Sequence, residues 1–462
     1  MVPSTKAEMI IQYDACVFSG QFSNDGNFYF ACGQDFRVRM YDTSNPHDWK
    51  HYKTVEYPDG RWTLTDGSLS PDNRWLAYTS ISSEVCLAPT NPDDRGDPYT
   101  MDLGGGPRGG GRRRGGFPPH DGFGIWSIRF SGDGRQLVAG TNADCVVVYD
   151  IESRTVLNAV RGHRDDVNAV CFADSASPWV FYSGSDDSMV KVWDRRDLRD
   201  SREAGAFVGH IEGITYIDSK NDGRYILSNG KDQSMKLWDC RKMMSSARFR
   251  ELDITREATF DYRWGSFRES DWHQDPNDNS VVTFRGHKVL RTLIRCHFSP
   301  PNSTNSRYVY SGSQDGKVYI WNMDATLRET VDVREATMGT RPNVRRPRVN
   351  IWVTDEDADP HETCVRDASW HPNAPMIVGE SHAPLREESS EVRTANSATA
   401  TAFNGLSRDC GTCSVHRFND DMEDEAISKE EDEDDDMLQW NGISYDEFMK
   451  PFVANRRRRP WR

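Results

Sequence analysis

The sequence predicts an all-β protein, a β-propeller of seven four-stranded blades with disordered insertions and an acidic C-terminal tail. Two observations predict this class. Short segments alternate apolar and polar residues, as Val190-Lys191-Val192 does, which is typical of strands. A unit of similar sequence also recurs, and in two consecutive copies Trp193 and Trp238 stand 45 positions apart, within the repeat length of propeller blades. No segment of helical periodicity is comparable in strength.

Three copies of the unit are complete. Each contains a Gly-His pair, then a Ser, an Asp and finally a Trp. The four polar and aromatic residues are His163, Ser183, Asp187 and Trp193 in the first copy, His210, Ser228, Asp232 and Trp238 in the second, and His287, Ser311, Asp315 and Trp321 in the third. Weaker copies precede and follow these three, which gives seven units in all.

Gly-His followed by Trp-Asp at this spacing resembles the WD40 repeat, which implies a β-propeller. The resemblance also implies that the four residues hydrogen-bond in series within a blade, each bond contributing about 1 kcal/mol. A Ser-His-Asp set can instead suggest catalysis, but a catalytic site is not normally copied into three blades. We therefore predict a structural blade network, incomplete in the two weaker copies where Ser82 and Ala143 occupy the Asp position.

The repeats set the predicted domain limits. We place the seven-bladed propeller at 9–418 and a charged tail at 419–462. A short apolar segment, Met9–Gln12, precedes the first unit, and we expect it to supply the outer strand of the last blade and so close the ring. Closure removes exposed sheet edges. Three segments interrupt the repeat and are predicted insertions: 95–117, 243–282 and 381–409.

The charge of the chain is unevenly distributed. The formal net charge is −15, and the segment Asp420–Asp436 alone carries 12 acidic residues and one Lys, followed by a basic run at Arg456–Arg459. Such blocks usually stay solvated. The overall acidity weighs against general nucleic-acid binding, so we expect no nucleic-acid partner. We expect no membrane span and no secretory leader, and the scattered cysteines suit reduced thiols in the nucleus and cytoplasm.

Two of the insertions leave alternatives open. The insertion 95–117 contains Gly-rich runs and Arg112-Arg113-Arg114, and we favour a flexible connection over an RNA-binding segment because no aromatic residue is interleaved. The insertion 243–282 is rich in aromatic residues, which suits a lid or partner surface as well as a segment that folds back on the propeller. Its aromatic residues are Phe260, Tyr262, Trp264, Phe267 and Trp272.

One close cysteine pair, Cys410 and Cys413 with His416 nearby, could form half of a metal site or a redox pair. Zinc requires four ligands, and no second Cys/His pair lies at a suitable spacing. We therefore favour a strand and a turn here, and predict neither a metal nor another cofactor.

Two consecutive units end in Trp-Asp-x-Arg, which makes Asp194, Arg196, Asp239 and Arg241 the candidate binding residues. In the WD40 repeats that these units resemble, this arginine follows the third strand of its blade, on a turn at one rim. There it can present a planar set of donors to a partner's carboxylates or carbonyls. Local salt bridges are the alternative role for both arginines.

This ending resembles the motif by which WD40 substrate receptors dock on damage-specific DNA-binding protein 1, the adaptor of cullin-4 ubiquitin ligases. Over about residues 13–380 the chain resembles the WD-repeat protein 23 group, also called the DDB1- and cullin-4-associated factor eleven group. The segments that carry this resemblance are Gly60–Asp66, Leu69–Asp72, Asp165–Phe172, Asp222–Tyr225, Asn229–Asp232 and Arg366–Pro372.

The resemblance implies a non-catalytic substrate receptor that binds the adaptor and the cullin-4 ligase and presents unknown substrate proteins for ubiquitination and degradation. A general WD40 interaction hub in a nuclear or RNA-associated complex is the alternative. A propeller enzyme would require catalytic groups clustered at the central channel, and the sequence shows none that do not also fit the blade network.

Overall fold

Seven antiparallel sheets, arranged as blades, make up the part of the chain that the structure describes. The structure, a computed structural model, describes residues 2–105, 122–198, 201–252, 254, 260–263, 265–340, 363–382 and 411–418. The chain divides into two units, Met1–Phe418 and Asn419–Arg462, and the second unit lies outside the described residues. The predicted seven-bladed propeller is confirmed within the first unit.

The strands are numbered in chain order, and blade seven takes its fourth strand from the start of the chain. Before blade one comes β1 (Ala7–Tyr13). Blade one comprises β2 (Val17–Phe22), β3 (Phe28–Gly33), β4 (Arg37–Asp42) and β5 (Lys50–Glu56). Blade two comprises β6 (Leu64–Leu69), β7 (Trp75–Ser80), β8 (Glu84–Pro89) and β9 (Tyr99–Asp102). Blade three comprises β10 (Ile125–Phe130), β11 (Gln136–Thr141), β12 (Cys145–Asp150) and β13 (Thr155–Arg161).

The remaining blades follow in the same order. Blade four comprises β14 (Ala169–Phe172), β15 (Val180–Gly184), β16 (Val190–Asp194) and β17 (Gly205–Phe207). Blade five comprises β18 (Ile214–Ser219), β19 (Tyr225–Gly230), β20 (Ser234–Asp239) and β22 (Val282–Phe284). The short strand β21 (Met244–Ser245), which follows β20 in the chain, is added to the outer edge of blade four. Blades six and seven comprise β23 (Cys296–Phe298), β24 (Tyr308–Ser311), β25 (Lys317–Asn322) and β26 (Leu327–Asp332); and β27 (Cys364–Trp370), β28 (Met376–His382) and β29 (Gly411–Arg417).

The ring is closed by strands from the two ends of the propeller. β1 pairs antiparallel with β29, with Ile11 opposite Cys413 and Tyr13 opposite Gly411. The sheet order β1-β29-β28-β27 makes β1 the outer strand of blade seven, which confirms the predicted role of the apolar segment near Met9. Every blade therefore has an outer strand, and the segment that precedes blade one is held in blade seven by backbone hydrogen bonds.

The central strands of the blades are buried on both faces, because neighbouring blades pack against each side. In β12 the residues from Cys145 to Tyr149 are all buried, and such unbroken runs of β-branched residues suit strands covered on both faces. Lys191 of β16, which the alternating pattern placed at a polar position, is itself only 6% exposed. Its ammonium lies 5.1 Å from the centre of the Phe249 ring and donates to the carbonyl of Gly162.

Bulges in the innermost strands link neighbouring blades. The register shifts around Thr65, Thr215 and Arg366, at the start of three innermost strands. The Thr65 hydroxyl donates to the carbonyl of Ile125 at 2.7 Å, and the Thr215 hydroxyl donates to that of Ile294 at 2.8 Å. Each bond joins one blade to the next around the central channel.

Two of the predicted insertions contain regular structure. β9, the outer strand of blade two, lies inside the predicted insertion 95–117. The predicted insertion 243–282 begins with β21 and the helix α1 (Ser246–Glu251), while the predicted insertion 381–409 overlaps the end of β28. Two further short helices, α2 (Pro301–Thr304) and α3 (Val333–Thr337), lie in blade six and after it. Among the described residues, no helix is both long and apolar enough to cross a membrane.

Antiparallel pairing gives the propeller two distinct ends. We call the end that holds the turns between second and third strands, and the connections between blades, the top face. We call the end that holds the turns between first and second and between third and fourth strands the bottom face. A side chain on one of the short turns is therefore assigned to a face by the topology, and a side chain of the long insertion between β20 and β22 is assigned by its contacts.

Candidate protein-binding rim

The predicted four-residue series forms in blades four and five. In blade four the Trp193 indole donates to the Ser183 hydroxyl at 2.7 Å, and Ser183 lies 2.6 Å from His163 Nε2. His163 Nδ1 then lies 2.9 Å from an oxygen of Asp187. Because the hydroxyl accepts from the indole and has one proton to give, it donates to Nε2, which leaves the Nδ1 proton for the carboxylate.

Blade five repeats this geometry at almost the same distances. The Trp238 indole donates to Ser228 at 2.8 Å, Ser228 lies 2.7 Å from His210 Nε2, and His210 Nδ1 lies 2.9 Å from Asp232. Burial alone would raise the pKa of the Asp232 carboxyl, but the adjacent His210 lowers it to about 2. In both blades the side chains of the series are at most 8% exposed, so the series holds the top-face connection against the sheet rather than presenting a nucleophile to solvent.

Blade six departs from the predicted series. His287 Nε2 lies 2.8 Å from the amide oxygen of Asn229 in blade five, and its Nδ1 is buried without a hydrogen-bond partner among the described residues. The Asp315 carboxylate instead accepts from the Tyr319 hydroxyl at 2.7 Å. The predicted series His287-Ser311-Asp315-Trp321 therefore does not form. Tyr319 stands where blades four and five have a lysine, and its hydroxyl, rather than His287, is hydrogen-bonded to the Asp315 carboxylate.

The two weaker units lack the carboxylate, as their sequences indicated. In blade three the Thr141 hydroxyl donates to the carbonyl of Cys145 at 2.8 Å and accepts from the Ala143 amide, so a local turn replaces the series. In blade two the Ser82 hydroxyl lies 2.7 Å from the Tyr57 hydroxyl. The His-Ser-Asp-Trp series is therefore a property of individual blades.

The bottom face of blade four presents the first candidate arginine. Asp194 ends β16 and caps the short 3₁₀ turn Arg195–Asp197, accepting from the Arg196 amide at 3.0 Å. The same carboxylate receives the Arg196 guanidinium at two points, Nε at 2.9 Å and Nη2 at 2.6 Å. These hydrogen bonds lower the pKa of Asp194. One carboxylate thus fixes both the turn and the direction of the guanidinium.

Blade five presents the second arginine in the same way. Asp239 caps the 3₁₀ turn Cys240–Lys242 and binds the Arg241 guanidinium through Nε at 3.2 Å and Nη2 at 2.8 Å. Asp239 also accepts from Arg224 at 2.9 Å. A second guanidinium therefore lies beside Arg241, and it comes from the turn between the first two strands of the blade.

The two candidate arginines make local salt bridges and are exposed at the same time. Each makes a local salt bridge, yet the side chains of Arg196 and Arg241 are 63% and 64% exposed. Within the described residues neither Nη1 group makes a hydrogen bond. A guanidinium held on one edge and open on the other is preorganised to donate to a partner's carboxylates or backbone carbonyls.

Trp179 also belongs to this part of the bottom face, and sequence reasoning missed it. It lies between β14 and β15, is 46% exposed, and its ring centre is 5.5 Å from the Arg195 guanidinium. Exposed tryptophan beside arginine is typical of the residues that contribute most to protein interfaces. We define the rim site as Trp179, Arg196, Arg224 and Arg241. The sequence signal that marks Trp179 is weak, since a Trp in a repeat is expected to be buried.

A third Asp-x-Arg pair lies outside the Trp-Asp motif. Asp261 binds Arg263 through Nε at 2.9 Å and Nη2 at 2.7 Å, and the Arg263 side chain is 61% exposed. This pair lies in the insertion after α1, and the Arg263 carbonyl accepts from Arg291 in the connection on the top face. The geometry of Asp-x-Arg is therefore local, and the rim site is distinguished by its position on consecutive blades.

The aromatic insertion packs at least partly on the propeller. The Lys231 ammonium lies 4.1 Å from the centre of the Tyr262 ring, and the Arg285 guanidinium lies 4.2 Å from that of Trp272. Phe260 and Phe267 contact each other edge to face. Trp264 lies outside the described residues, as do residues 106–121 with most of the Arg-Gly segment.

A buried ionic cluster, which the sequence did not reveal, lies along the central channel. Asp66 accepts from Arg129 at 2.5 Å and from Arg295 at 2.9 Å, and Arg295 also bonds Asp367 at 3.1 Å. His297 Nε2 lies 2.8 Å from the second oxygen of Asp367. These groups come from blades two, three, six and seven. Burial would raise the pKa of Asp66, but the two guanidiniums lower it, so the carboxylate is ionised and engaged in joining blades.

The cysteine pair offers no ligand set in the described part of the chain. Cys413 is buried in β29, while Cys410 lies outside the described residues. His416 faces the carbonyls of Ser4 and Thr5, at 3.2 and 3.0 Å from Nδ1. No group of three or more His, Cys, Asp or Glu side chains among the described residues is arranged to hold a metal ion.

The closed ring, the buried His-Ser-Asp-Trp series and the charged rim define a β-propeller of WD repeats with surfaces suited to protein contacts. The WD domain, G-beta repeat family matches residues 111–150, 154–194, 202–239 and 278–322. The chain is 39% identical over 376 residues to the LEC14B protein of Lithospermum erythrorhizon, covering 81% of this chain and 72% of that protein. It is 41% identical over 375 residues to the LEC14B homolog of Prunus armeniaca, covering 79% and 70%.

A third relative has a name that refers to DDB1 and CUL4. The DDB1- and CUL4-associated factor 11 homolog of Caenorhabditis elegans is 32% identical over 375 residues, which cover 78% of this chain and 58% of that protein. The chain belongs to the WD40-repeat family that includes the LEC14B proteins and these factor 11 homologs. The predicted resemblance to this group of cullin-4-associated WD40 proteins is confirmed.

Proposed function

We propose that this chain is a non-catalytic substrate receptor of a cullin-4 ubiquitin ligase and that its rim site docks on the adaptor, damage-specific DNA-binding protein 1. Support comes from the family relationship, since relatives are named as factors associated with DDB1 and CUL4. The observation that carries the proposal is the repeated geometry of Arg196 and Arg241, two preorganised and exposed guanidiniums on consecutive blades of one face.

The mechanism that follows is one of positioning. The bottom face binds the adaptor, and another surface binds the substrate protein, so that substrate lysines are held near a charged conjugating enzyme. Holding two reactants together raises their effective concentration, and this proximity accelerates ubiquitin transfer without a reactive group on the receptor. The rigid propeller contributes a fixed distance between the two surfaces.

The test is binding of the purified full chain to the purified adaptor by biolayer interferometry. The double variant Arg196→Ala, Arg241→Ala removes two charged anchors, and we expect the dissociation constant to rise at least about tenfold. Arg263→Ala is the matched control, because Arg263 has the same Asp-x-Arg geometry and similar exposure on the top face. It should bind as the unmodified chain does.

The thermal unfolding midpoint of all three proteins should agree, since the three arginines are exposed. Equal adaptor affinity of the double variant and the unmodified chain would refute docking through the rim site. Absence of any binding by the unmodified chain would refute the receptor function itself.

A further inference from the structure

An exposed tryptophan on a strained turn marks a second surface, on the top face. Trp62 lies in the connection between β5 and β6, is 64% exposed, and has a backbone φ of 66°. The Thr63 amide donates to the Arg61 carbonyl at 2.8 Å, so Trp62 is the central residue of a γ-turn with positive φ. This turn is rare and strained, and a bulky residue there costs about 1–3 kcal/mol.

A buried serine holds the strained turn in place. The Ser80 hydroxyl accepts from the Arg61 amide at 2.9 Å and lies 2.8 and 2.9 Å from the carbonyls of Arg61 and Thr63. Ser80 is fully buried at the end of β7. Both arms of the turn are therefore fixed to the sheet, and the indole of Trp62 is directed by the fold away from the core although burial would stabilise it.

A second indole forms a platform with Trp62. The rings of Trp62 and Trp126 lie 6.1 Å apart at 84°, an edge-to-face contact. The Trp126 indole donates to Asp166 at 3.0 Å, which fixes its ring. Trp62 comes from the connection that leads into blade two and Trp126 from the start of β10 in blade three, so the two indoles share one side of the top face.

The surroundings of the platform are acidic. Asp144 and Asp165 are exposed, Asp166 is half-buried, and none of the three makes an ion pair within the described residues. Burial raises the pKa of Asp166, and the carboxylates of Asp186, Asp165 and Asp144 raise it further. Arg61, the neighbour of Trp62, lines a cleft of about 250 Å³ whose lining also includes Asp59 and Glu84.

Basic groups at this surface are fewer or already engaged. Arg61 lines the same cleft, and Arg161 lies near Asp144 at the end of β13. Lys231 is paired with Asp186 at 2.7 Å, and Arg164 donates to the carbonyl of Ile254. The carboxylates beside the indoles therefore outnumber the cations that are free to neutralise them.

We propose that the Trp62–Trp126 platform and its flanking carboxylates bind an arginine or lysine side chain in an exposed segment of a partner protein. Charge complementarity selects this occupant, since a cation on an indole face gains both cation–π attraction and the field of the aspartates. In the receptor function proposed above this surface would hold the substrate, but peptide binding here is independent of the adaptor. Failure of one proposal is therefore distinguishable from failure of the other.

The test uses the full chain and a fluorescein-labelled peptide, Gly-Ser-Arg-Gly-Ser-Arg-Gly, followed by fluorescence polarisation at low salt. A matched peptide carries citrulline, the neutral isostere, in place of each arginine. We expect saturable binding of the arginine peptide and at least about fivefold weaker binding of the citrulline peptide. Binding should also weaken as salt is added, because the surface carboxylates are exposed.

The variants separate the platform from general surface charge. Trp62→Ala should raise the dissociation constant at least about fivefold, and Asp165→Asn should raise it about threefold. Tyr99→Ala is the control, since it removes a comparably exposed aromatic ring (56%) from β9, the outer strand of blade two, and should leave peptide affinity unchanged. Thermal unfolding of each variant verifies that the propeller is intact.

Two outcomes would overturn the proposal. Equal affinity for the arginine and citrulline peptides, or an unchanged affinity of Trp62→Ala for the arginine peptide, would show that the platform does not bind a cationic side chain. A large gain in affinity when Arg112, Arg113 and Arg114 are replaced by Ser would show that the chain's own basic segment, rather than a partner, is the natural occupant.

Discussion

The Tyr319 hydroxyl donates a 2.7 Å hydrogen bond to Asp315, and this bond distinguishes blade six from blades four and five. In blades four and five the corresponding carboxylates accept from His163 and His210. In blade six His287 is left with a buried, unpartnered Nδ1, and burial lowers its pKa to about 3, so it is neutral. Similar repeats therefore differ in how strongly each holds its top-face connection.

The first prediction is that Asp232 and Asp315 contribute unequally to the stability of the fold. Asp232→Ala removes an acceptor used by His210, by the Ile211 amide and by Ser234, so we expect a loss of about 3 kcal/mol in the free energy of unfolding. Asp315→Ala removes an acceptor used by Tyr319 and Lys317 and should cost about 1 kcal/mol. Urea denaturation followed by tryptophan fluorescence measures both. Equal losses would show that the series has no special weight.

The second prediction concerns Glu380, which is buried in β28 beside the Tyr29 hydroxyl. Burial and the nearby Asp367 raise its pKa, and one of its oxygens has no hydrogen-bond partner in the described part of the chain. The folded chain thus holds this proton more tightly than the unfolded chain, so ionisation removes stability as pH rises above the ordinary glutamate pKa of about 4.3.

Glu380→Gln should remove this penalty, because glutamine keeps an acceptor for Tyr29 and cannot ionise. We expect the variant to unfold at a higher temperature than the unmodified chain at pH 8, with a gain of about 1 kcal/mol, and to lose that advantage near pH 4. Thermal unfolding across this pH range measures the difference. A constant difference at every pH would contradict the assignment of a raised pKa.

The third prediction concerns the ionic cluster of the central channel. Asp66→Asn leaves Arg129 without its carboxylate and Arg295 with only Asp367, so we expect a loss of about 3 kcal/mol or more in the free energy of unfolding. Asp93→Asn makes the same change of net charge at an exposed position and is the control. If both variants unfold at the same urea concentration, the cluster does not hold the blades together.

Repetition made most of the fold predictable. Gly-His and Trp-Asp recur at the spacing of propeller blades, which predicts seven blades. The apolar segment near Met9 was predicted to supply the outer strand of the last blade, and it pairs with β29 there. β9 was missed because Tyr99–Asp102 lies next to a Gly-rich run, whose composition masks a strand that is mostly exposed. Composition therefore predicts buried strands better than outer ones.

The candidate sites were predictable only where the motif itself carried them. Trp-Asp-x-Arg places Arg196 and Arg241 on turns, and the structure adds the bidentate pairing to Asp194 and Asp239. Asp66 and Arg295 lie 229 positions apart in the sequence and come into contact only because the ring is closed, so no local sequence pattern predicts their ion pair. The exposure of Trp62 is equally hidden, since it depends on a turn that is held by Ser80 from another strand.

The pairing of β1 with β29 has a consequence for synthesis. β1 leaves the ribosome before the other strands of the propeller, and its partner β29 emerges about 400 residues later, so β1 has no partner strand while the strands between them are synthesised. Blade seven can form only once translation of β29 is finished. The nascent chain thus carries an unpaired, partly apolar strand for almost the whole synthesis of the propeller.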